Sequence, residues 1–349
     1  MVMTKTAAVV GGGIGGLAAA IGLQGAGWDV VVHERAEALP DRGTGLGIWP
    51  EALDALDRLG LGERARAVGF RQVNGTIRRP DGSKIGILDV EKMREPVHLL
   101  TRPELLGLLA EGLAPGVVRF GSHVTDLDAL RASHDVVIGA DGIRSAVRTA
   151  LLGPAHTLKY AGGVVWRGAA DIAVPAGGET WGKGAKFGVT PQSGGTTNFY
   201  GVLYGPAAEL PEGLDTLRDT FGAWHDPIPA VIAAIDASTV LRHELHYLDS
   251  PLPSYVRGNV ALLGDAAHAM TPDLGQGACQ ALIDGLVLAE CLAAQADVST
   301  GLAEYDRRRR RPSQRVAAMA RRVGRLTAMR WTGVRNTMAK AALAFGPPG

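Results

Sequence analysis

The sequence predicts an α/β fold made of a nucleotide-binding sheet, an inserted β-sheet lobe and C-terminal helices. Three observations favour it: apolar stretches that run into glycine-rich turns, a β-rich stretch between the second and third of these turns, and a helical pattern from Leu302 onward. The chain has 349 residues, which is too long for most single cores. We therefore expect two domains, one of which interrupts the other in sequence.

The three apolar stretches, residues 7–11, 135–142 and 259–265, share one design. Each is a run of apolar residues that ends in a glycine-containing turn. Such runs are typical of strands that are covered on both sheet faces. Ligands of these sheets bind beyond the carboxyl ends of the strands, where the turns lie. A helix is expected after each turn, over residues 17–25, 143–151 and 276–293.

The first turn has the spacing Gly11-x-Gly13-x-x-Gly16 between a strand and a helix. In that context the first glycine permits a tight turn, the second lets the backbone approach a pyrophosphate, and the third lets helix and strand pack closely. The next strand ends at Glu34, 23 residues past Gly11, where a ribose hydroxyl needs an acceptor. This predicts a Rossmann-like dinucleotide site without a 2′-phosphate and leaves NAD and FAD open. The alternative is a glycine-rich turn without a ligand.

The lobe between the second and third turns has a different pattern. Residues 158–250 contain short β-rich runs and one short helix around residues 214–224. Residues 71–90 alternate like a hairpin around Pro80-Asp81-Gly82. Beyond them the chain is helical from Leu302, and Pro312 is expected to bend or break that helix.

These stretches predict two domains. The inserted one is a substrate-binding β-sheet domain of residues 71–94 and 158–251. The other is a discontinuous nucleotide-binding domain with C-terminal helices, formed by residues 1–70, 95–157 and 252–349.

The third turn settles the choice of nucleotide through a resemblance. Residues 264–268 (Gly-Asp-Ala-Ala-His), Pro272 and the Gly-Gln-Gly of residues 275–277 resemble the second FAD fingerprint of the p-hydroxybenzoate hydroxylase family of flavin monooxygenases. The middle turn, Asp141-Gly142, resembles the Asp-Gly motif of that family. Within it, the FAD-dependent urate hydroxylases are similar in further residues: Tyr-Ala-Gly at 160–162, Trp166, and the stretch 271–279.

The resemblance implies FAD as cofactor and NADH or NADPH as transient reductant. Asp265 is expected to accept hydrogen bonds from the ribityl hydroxyls, Arg102 to contact the FAD, and Asp141 to position the pyrophosphate and the approach of NAD(P)H. The helix after Gly275 would stabilise the reduced flavin through its N-terminus, and Arg148 would support the middle turn. The predicted cofactor-binding residues are Gly11, Gly13, Ile14, Gly15, Gly16, Glu34, Arg35, Arg102, Asp141, Gly142, Gly264, Asp265, Pro272, Gly275, Gln276 and Gly277.

The same resemblance implies a single-component monooxygenase that hydroxylates a small electron-rich aromatic through a flavin C4a-hydroperoxide. Lys186, Arg167 and Tyr200 are the candidate pocket residues, and each is otherwise a sheet-surface residue. Lys186 matches an arginine that pairs with the anionic substrate in the urate hydroxylases. Lysine offers a point charge instead of a planar fork, so urate itself is not predicted. The alternatives are a flavin-dependent oxidase or reductase without oxygen insertion, and a non-catalytic FAD-binding protein.

Composition excludes other classes of function. The 36 basic and 35 acidic residues give no reason to expect a nucleic-acid partner. Cys279 and Cys291 form neither a disulfide framework nor a metal site. With no signal peptide and no apolar run of about 18 residues, we expect a cytoplasmic protein without a membrane span, acting as a monomer or homodimer. His268 is expected to be a packed or backbone-bonded histidine, and the run of arginines at 307–311 a solvated helix face.

Overall fold

The computed structural model describes residues 4–72, 75–88 and 93–344. Its strands are β1 Thr6–Val10, β2 Asp29–His33, β3 Gly45–Ile48, β4 Phe70–Arg71, β5 Gly75–Arg78, β6 Lys84–Leu88, β7 His98–Thr101, β8 Val118–Arg119, β9 Val136–Gly139, β10 Leu158–Ala170, β11 Gly177–Trp181, β12 Ala185–Pro191, β13 Thr197–Tyr204, β14 Leu241–Leu248, β15 Val256–Arg257 and β16 Val260–Leu262. Its helices are α1 Ile14–Gly25, α2 Pro50–Arg58, α3 Gly62–Val68, α4 Arg102–Glu111, α5 Leu127–Ser133, α6 Ala146–Leu152, α7 Asp215–Phe221, α8 Ile228–Ala233, α9 Asp265–His268, α10 Gly277–Ala293, α11 Val298–Thr327 and α12 Thr332–Ala344.

The three predicted apolar strands are neighbours in one sheet. Its strand order is β15-β16-β9-β1-β2-β8, and β16, β9, β1 and β2 run parallel. Helices α1 and α10 contribute to the core that covers this sheet. Consecutive residues of β1, β9 and β16 are buried, so both faces of these strands are covered, as their continuous apolar sequence indicated. The predicted Rossmann-like sheet is confirmed.

The β-rich lobe forms a second sheet, with strand order β14-β10-β13-β12-β11-β5-β6. Its long strands pair antiparallel, and the register sets Arg167 opposite Tyr200. The predicted hairpin is present as β5 and β6, which join the sheet through β11. The predicted α/β fold with an inserted antiparallel sheet is therefore confirmed.

The predicted start of the hairpin at Arg71 is wrong. Arg71 belongs to β4, which pairs with β7 in a separate three-stranded sheet. Residues 73–74 and 89–92 of the predicted segment lie outside the described residues. The division of the chain into two domains at the predicted boundaries stays a prediction.

Of the two outcomes expected at Pro312, a bend or a break of the C-terminal helix, the break does not occur. Pro312 lies inside one continuous helix, α11, which begins at Val298 rather than at Leu302. The turn around the proline is held by Ser313, whose hydroxyl donates to the Arg309 carbonyl at 2.8 Å and lies 2.7 Å from the Tyr255 hydroxyl. These bonds tie the turn after the proline to Tyr255, while the backbone bond from residue 312 to the Arg308 carbonyl is missing. Within the described ranges, no helix is both long and apolar enough to cross a bilayer.

Candidate active site

A large cavity, with a volume of about 1280 Å³, lies between the glycine turns of the first sheet and the second sheet. Most of the predicted site residues meet there. Those that line it are Gly13, Ile14, Gly15, Arg102, Gly142, Arg167, Lys186, Tyr200, Gly264, Asp265, Pro272, Gly275 and Gly277. Those that do not are Gly11, Gly16, Glu34, Arg35, Asp141 and Gln276.

The three glycines of the first turn divide into two kinds. Gly11 has a φ of +110°, and a methyl group there would overlap the Ala140 carbonyl. A methyl group on Gly16 would overlap the Gly11 carbonyl oxygen. Gly13, by contrast, has nothing within 4 Å of the position of a methyl group. The first and third glycines therefore serve packing, while the second leaves the backbone open to the cavity, as a phosphate cradle requires.

The acid after β2 supports this turn directly. Glu34 accepts hydrogen bonds from the backbone N–H of Gly12 at 2.7 Å and of Ala36 at 2.8 Å. Each carboxylate oxygen keeps lone pairs beyond the one bond it accepts. Arg35 is exposed. The predicted ribose contact of these two residues stays a prediction.

The middle turn is built around a helix cap. Asp141 accepts hydrogen bonds from the Ser145 hydroxyl at 2.5 Å and from the backbone N–H of Ala146 at 2.7 Å, so it caps α6. Arg148 donates to the Ile143 carbonyl at 2.8 Å and to the Ala266 carbonyl at 3.1 Å. Arg148 therefore joins the middle turn to the third, in the supporting role that was predicted.

A buried network around Asp284 supports the third turn on the side that faces away from the cavity. The Asp284 carboxylate accepts the backbone N–H of Gly264 at 2.9 Å and lies 2.5 Å from His268 Nε2. Its other oxygen accepts Arg309 Nε at 2.6 Å. Burial alone would raise the pKa of Asp284, but Arg309 and His268 lower it to about 2. Asp284 is missing from the predicted site, although a lone acid in an apolar stretch of α10 was a signal for it.

Two sequence interpretations need correction here. His268 is buried as predicted, but it is bonded to a side chain rather than to the backbone. The arginines at 307–311 form the predicted solvated face only in part, since Arg307, Arg308 and Arg311 are exposed. Arg309 is buried against Asp284, and three others pair with acids on α10 or α11: Arg307 with Glu304, Arg308 with Glu290, and Arg310 with Asp306.

The side of the third turn that faces the cavity carries Asp265 and the start of α10. Asp265 is exposed, but only towards the cavity inside the molecule. Burial by the surrounding protein raises the pKa of its carboxyl above the usual value. Gly275 adopts a left-handed conformation, with a φ of +63°, and leads into α10 at Gly277. An acceptor and a free helix N-terminus thus face the same space.

Arg102 reaches the cavity from a well-defined helix start. It is the first residue of α4, and Thr101 and Glu104 form a capping box around that start. The side chain is exposed and lines the cavity.

The wall formed by the second sheet contains a buried charge cluster. Lys186 Nζ lies 2.9 Å from an Asp273 oxygen and 3.5 Å from a Glu179 oxygen, and the Tyr200 hydroxyl donates to Glu179. Burial would lower the pKa of Lys186, but the two acids raise it well above the usual value. Burial and Glu179 raise the pKa of Tyr200 well above its usual range, so Tyr200 is a donor and not a base.

This cluster changes the interpretation of Lys186. The lysine is 3 % exposed, so it is not a sheet-surface residue, and its charge is already balanced by Asp273 and Glu179. Neither acid was among the predicted site residues. Asp273 lies inside the quoted motif at 271–279, which was a usable signal, whereas nothing in the alternating strand around Glu179 pointed to this role.

Arg167 differs from Lys186 because no acid balances its charge among the described residues. It lines the cavity, its Nε is buried without a hydrogen-bond partner, and no ion pair to it exists among the described residues. Burial, together with Arg102, lowers the pKa of Arg167 from its usual value. Burial and Arg167 also lower the pKa of His243 on the neighbouring strand to about 4, so His243 is a neutral imidazole at pH 7. Sequence reasoning missed His243.

The features that face the cavity fit FAD. The open backbone at Gly13 suits a pyrophosphate, Asp265 offers an acceptor for hydroxyl groups, and the N-terminus of α10 suits a group that gains negative charge. A cavity of about 1280 Å³ exceeds the roughly 300–1,000 Å³ of common ligand sites, which leaves room for a substrate beside the dinucleotide.

Comparisons with known proteins agree with this geometry. The family model described as "FAD binding domain" matches residues 3–320. The aurachin C monooxygenase/isomerase of Stigmatella aurantiaca is 33% identical, over 92% of this chain and 89% of that protein. The FAD-dependent urate hydroxylase of Klebsiella pneumoniae is 34% identical, over 87% and 85%. The structure of Klebsiella pneumoniae HpxO with FAD and uric acid superposes with a TM-score of 0.85 at 29% identity, covering 96% of this chain and 91% of that one.

These matches extend over nearly the whole chain and over both sheets. The chain therefore belongs to the FAD-binding family of flavin monooxygenases related to p-hydroxybenzoate hydroxylase, and it is an FAD-dependent monooxygenase of the aromatic hydroxylase type.

Proposed function

We propose that this enzyme hydroxylates a small aromatic or heteroaromatic substrate that carries a negative charge, and that Arg167 binds that charge. The observation that carries the proposal is the buried Arg167 Nε, which has no partner in a wall of the cavity. A buried guanidinium nitrogen without a partner lowers the stability of the fold. Its retention beside an open cavity is explained by an anionic ligand that completes its hydrogen bonds.

The choice of Arg167 over Lys186 follows from the charges around each. Asp273 and Glu179 surround Lys186, so that cluster has one more negative than positive charge. It suits a donor group of the substrate, such as a phenolic hydroxyl or a ring N–H. We propose that the substrate spans the cavity with its anionic group at Arg167 and its donor near the Lys186 cluster.

The residues of this chain hold and orient the reactants. FAD, when bound and reduced by NADH or NADPH, supplies the activation of O2. Gly13, Asp265 and the start of α10 would hold the dinucleotide, and Arg102 would bind an anionic part of it. His243 stays neutral beside Arg167 because its pKa is about 4, so it can accept a proton or a hydrogen bond from the substrate.

The relatives support a substrate of this class. One is named for urate and another for 6-methylsalicylate, both small rings with acidic groups. We further propose that the chain works in the cytoplasm as a monomer or homodimer, with residues 71–94 and 158–251 as the substrate-binding domain.

The test is anaerobic reduction of the bound flavin by NADH and by NADPH, with a panel of aromatic acids, their uncharged amides, phenols and purines. We expect an anionic member to accelerate reduction many-fold and its amide to fail. In Arg167→Gln the acceleration should need about 10- to 100-fold more ligand, and Arg167→Lys should recover part of it. Equal responses to acid and amide would disprove the charge requirement. When O2 is then admitted to the reduced enzyme with its ligand, release of peroxide without any hydroxylated product would disprove the hydroxylase.

A further inference from the structure

The last helix, α12, carries an apolar face that is turned to solvent. Trp331, just before the helix, is 77% exposed, and Val334 and Met338 are 51% and 50% exposed. Steps of three and four residues place the three side chains on one side of a helix. The other side is packed, because Arg335 and Ala339 are buried. Large apolar side chains grouped on one exposed face mark an interaction surface.

The chain segment that contains this face is strongly basic. Residues 307–349 contain twelve of the 36 basic residues of the chain and none of its 35 acidic residues. The ion pairs described above account for Arg307, Arg308, Arg309 and Arg310 at the start of this segment. Arg322, Arg325 and Arg330 are exposed and form no ion pair within the described parts of the chain. They lie within nine residues of Trp331.

We propose that the face formed by Trp331, Val334 and Met338, with these neighbouring arginines, docks the protein onto an anionic phospholipid surface. A helix with apolar side chains that include tryptophan on one face, and with basic residues beside it, is typical of elements that lie in the membrane interface. Each basic residue near an anionic bilayer strengthens the attraction about fivefold. The proposal concerns a surface of the molecule and goes beyond the reaction proposed above.

A second copy of the chain fits this face less well. A two-fold contact would bring the same arginine-rich segment of both copies together, and like charges would oppose it. Three side chains also form a small patch compared with the roughly 800 Å² per partner that a stable dimer buries. The mixture of apolar and basic groups matches lipid chains beneath acidic headgroups.

Helix α12 is already fixed to the rest of the molecule, so docking needs no rearrangement. The Arg335 guanidinium donates to the Trp181 carbonyl at 2.9 Å, which holds the helix against β11. Ala339 and Leu343, on the packed side, line the main cavity. One helix therefore has its inner side on the cavity and its outer side free for lipid.

The test is sedimentation of the full-length, FAD-loaded protein with vesicles of equal parts phosphatidylglycerol and phosphatidylcholine, and with pure phosphatidylcholine vesicles. We expect binding to the anionic vesicles, loss of that binding at high salt, and little binding to phosphatidylcholine. The triple change Trp331→Ser, Val334→Ser and Met338→Ser should weaken binding at least about tenfold, and Arg322→Gln with Arg325→Gln by a similar factor.

The matched control removes three exposed apolar side chains elsewhere, Val68→Ser, Phe120→Ser and Leu241→Ser, and should leave vesicle binding unchanged. Flavin absorbance and melting temperature check that every variant is folded. The proposal is overturned if the wild type stays in the supernatant with anionic vesicles at low salt, or if the α12 variant sediments as well as the control. It is also overturned if light scattering shows a dimer that the α12 variant alone dissociates, since a second copy would then cover the face.

Discussion

Two arginines of this protein differ in whether they have hydrogen-bond partners inside the protein. Arg309 donates to Asp284 and to Gln280, each at 2.6 Å, on the side of the third turn that faces away from the cavity. Arg167 has a buried Nε with no partner, in the cavity wall. Arg309 is thus paired with an acid inside the protein, whereas Arg167 faces the space where a ligand binds. The same division separates glycines that are packed against backbone from those that face the cavity.

The largest expected effect tests this division at the first turn. In Gly16→Ala the new methyl group would overlap the Gly11 carbonyl oxygen, and we expect a loss of about 3 kcal/mol or more in the free energy of unfolding. In Gly13→Ala the methyl group meets nothing within 4 Å, so the fold should persist while FAD affinity falls. Urea unfolding and flavin titration of the two variants give the answer. A stable Gly16→Ala protein would contradict the packing argument.

The two arginines themselves form a matched pair of variants. Arg309→Gln leaves Asp284 buried without its main counter-charge, and we expect a loss of about 3–5 kcal/mol in the free energy of unfolding. Arg167→Gln removes a charge that has no partner, so stability without ligand should be unchanged or higher. Denaturant unfolding of both apoproteins measures the difference. Equal losses in the two variants would show that Arg167 has a structural role as well.

A smaller effect is expected where α11 meets the Lys186 cluster. A methyl group on Gly324 would lie 2.5 Å from an Asp273 carboxylate oxygen, so Gly324→Ala should turn Asp273 away from Lys186. We expect ligand-stimulated flavin reduction to weaken by about tenfold, since a hydrogen bond between charged groups contributes about 1.5–3 kcal/mol.

The control is Gly333→Ala on α12, where the methyl group meets nothing within 4 Å. Both changes raise helix propensity, so helix propensity gives no reason for a lower melting temperature in either variant. If the two variants reduce at the same rate, the carboxylate position does not matter for the reaction.

The smallest effect is a dependence of stability on pH. His243 has a pKa of about 4 in the folded protein against about 6.5 when unfolded, so the unfolded chain binds more protons between these values. Stability from this group is therefore full above about pH 6.5 and falls as the pH drops towards 4. Melting temperatures from pH 4 to 7 should show a shallower slope in Arg167→Gln, because the pKa of His243 rises when the neighbouring charge is removed. An unchanged slope would show that a group other than His243 causes the dependence of stability on pH.

The fold and the first turn could be predicted from the sequence, because they depend on residues that are close together in the chain. A strand, a turn and a helix determine the spacing of Gly11, Gly13 and Gly16, so the first turn, the parallel sheet and the inserted lobe followed from residue patterns. The start of α4 at Arg102 also depends on its immediate neighbours.

The pairing of charges could not be predicted, because the partners are distant in sequence. Lys186 and Asp273 are 87 residues apart, and Asp284 and Arg309 are 25 apart. Nothing local distinguishes the neutralised Lys186 from the unpaired Arg167, since both lie on β-strands of one sheet. For the same reason Pro312 suggested a bend or a break, since its place in a continuous helix and the contact of Ser313 with Tyr255 are not visible in the local sequence.

The length of α11 has a consequence for how the two ligands influence each other. Its 30 residues span about 45 Å. Arg309 on this helix bonds Asp284, which holds the third turn, and Gly324 lies against Asp273 of the substrate cluster. A titration of substrate with and without FAD measures the resulting coupling. By thermodynamic linkage, the factor by which the cofactor changes substrate affinity must equal the factor by which substrate changes cofactor affinity.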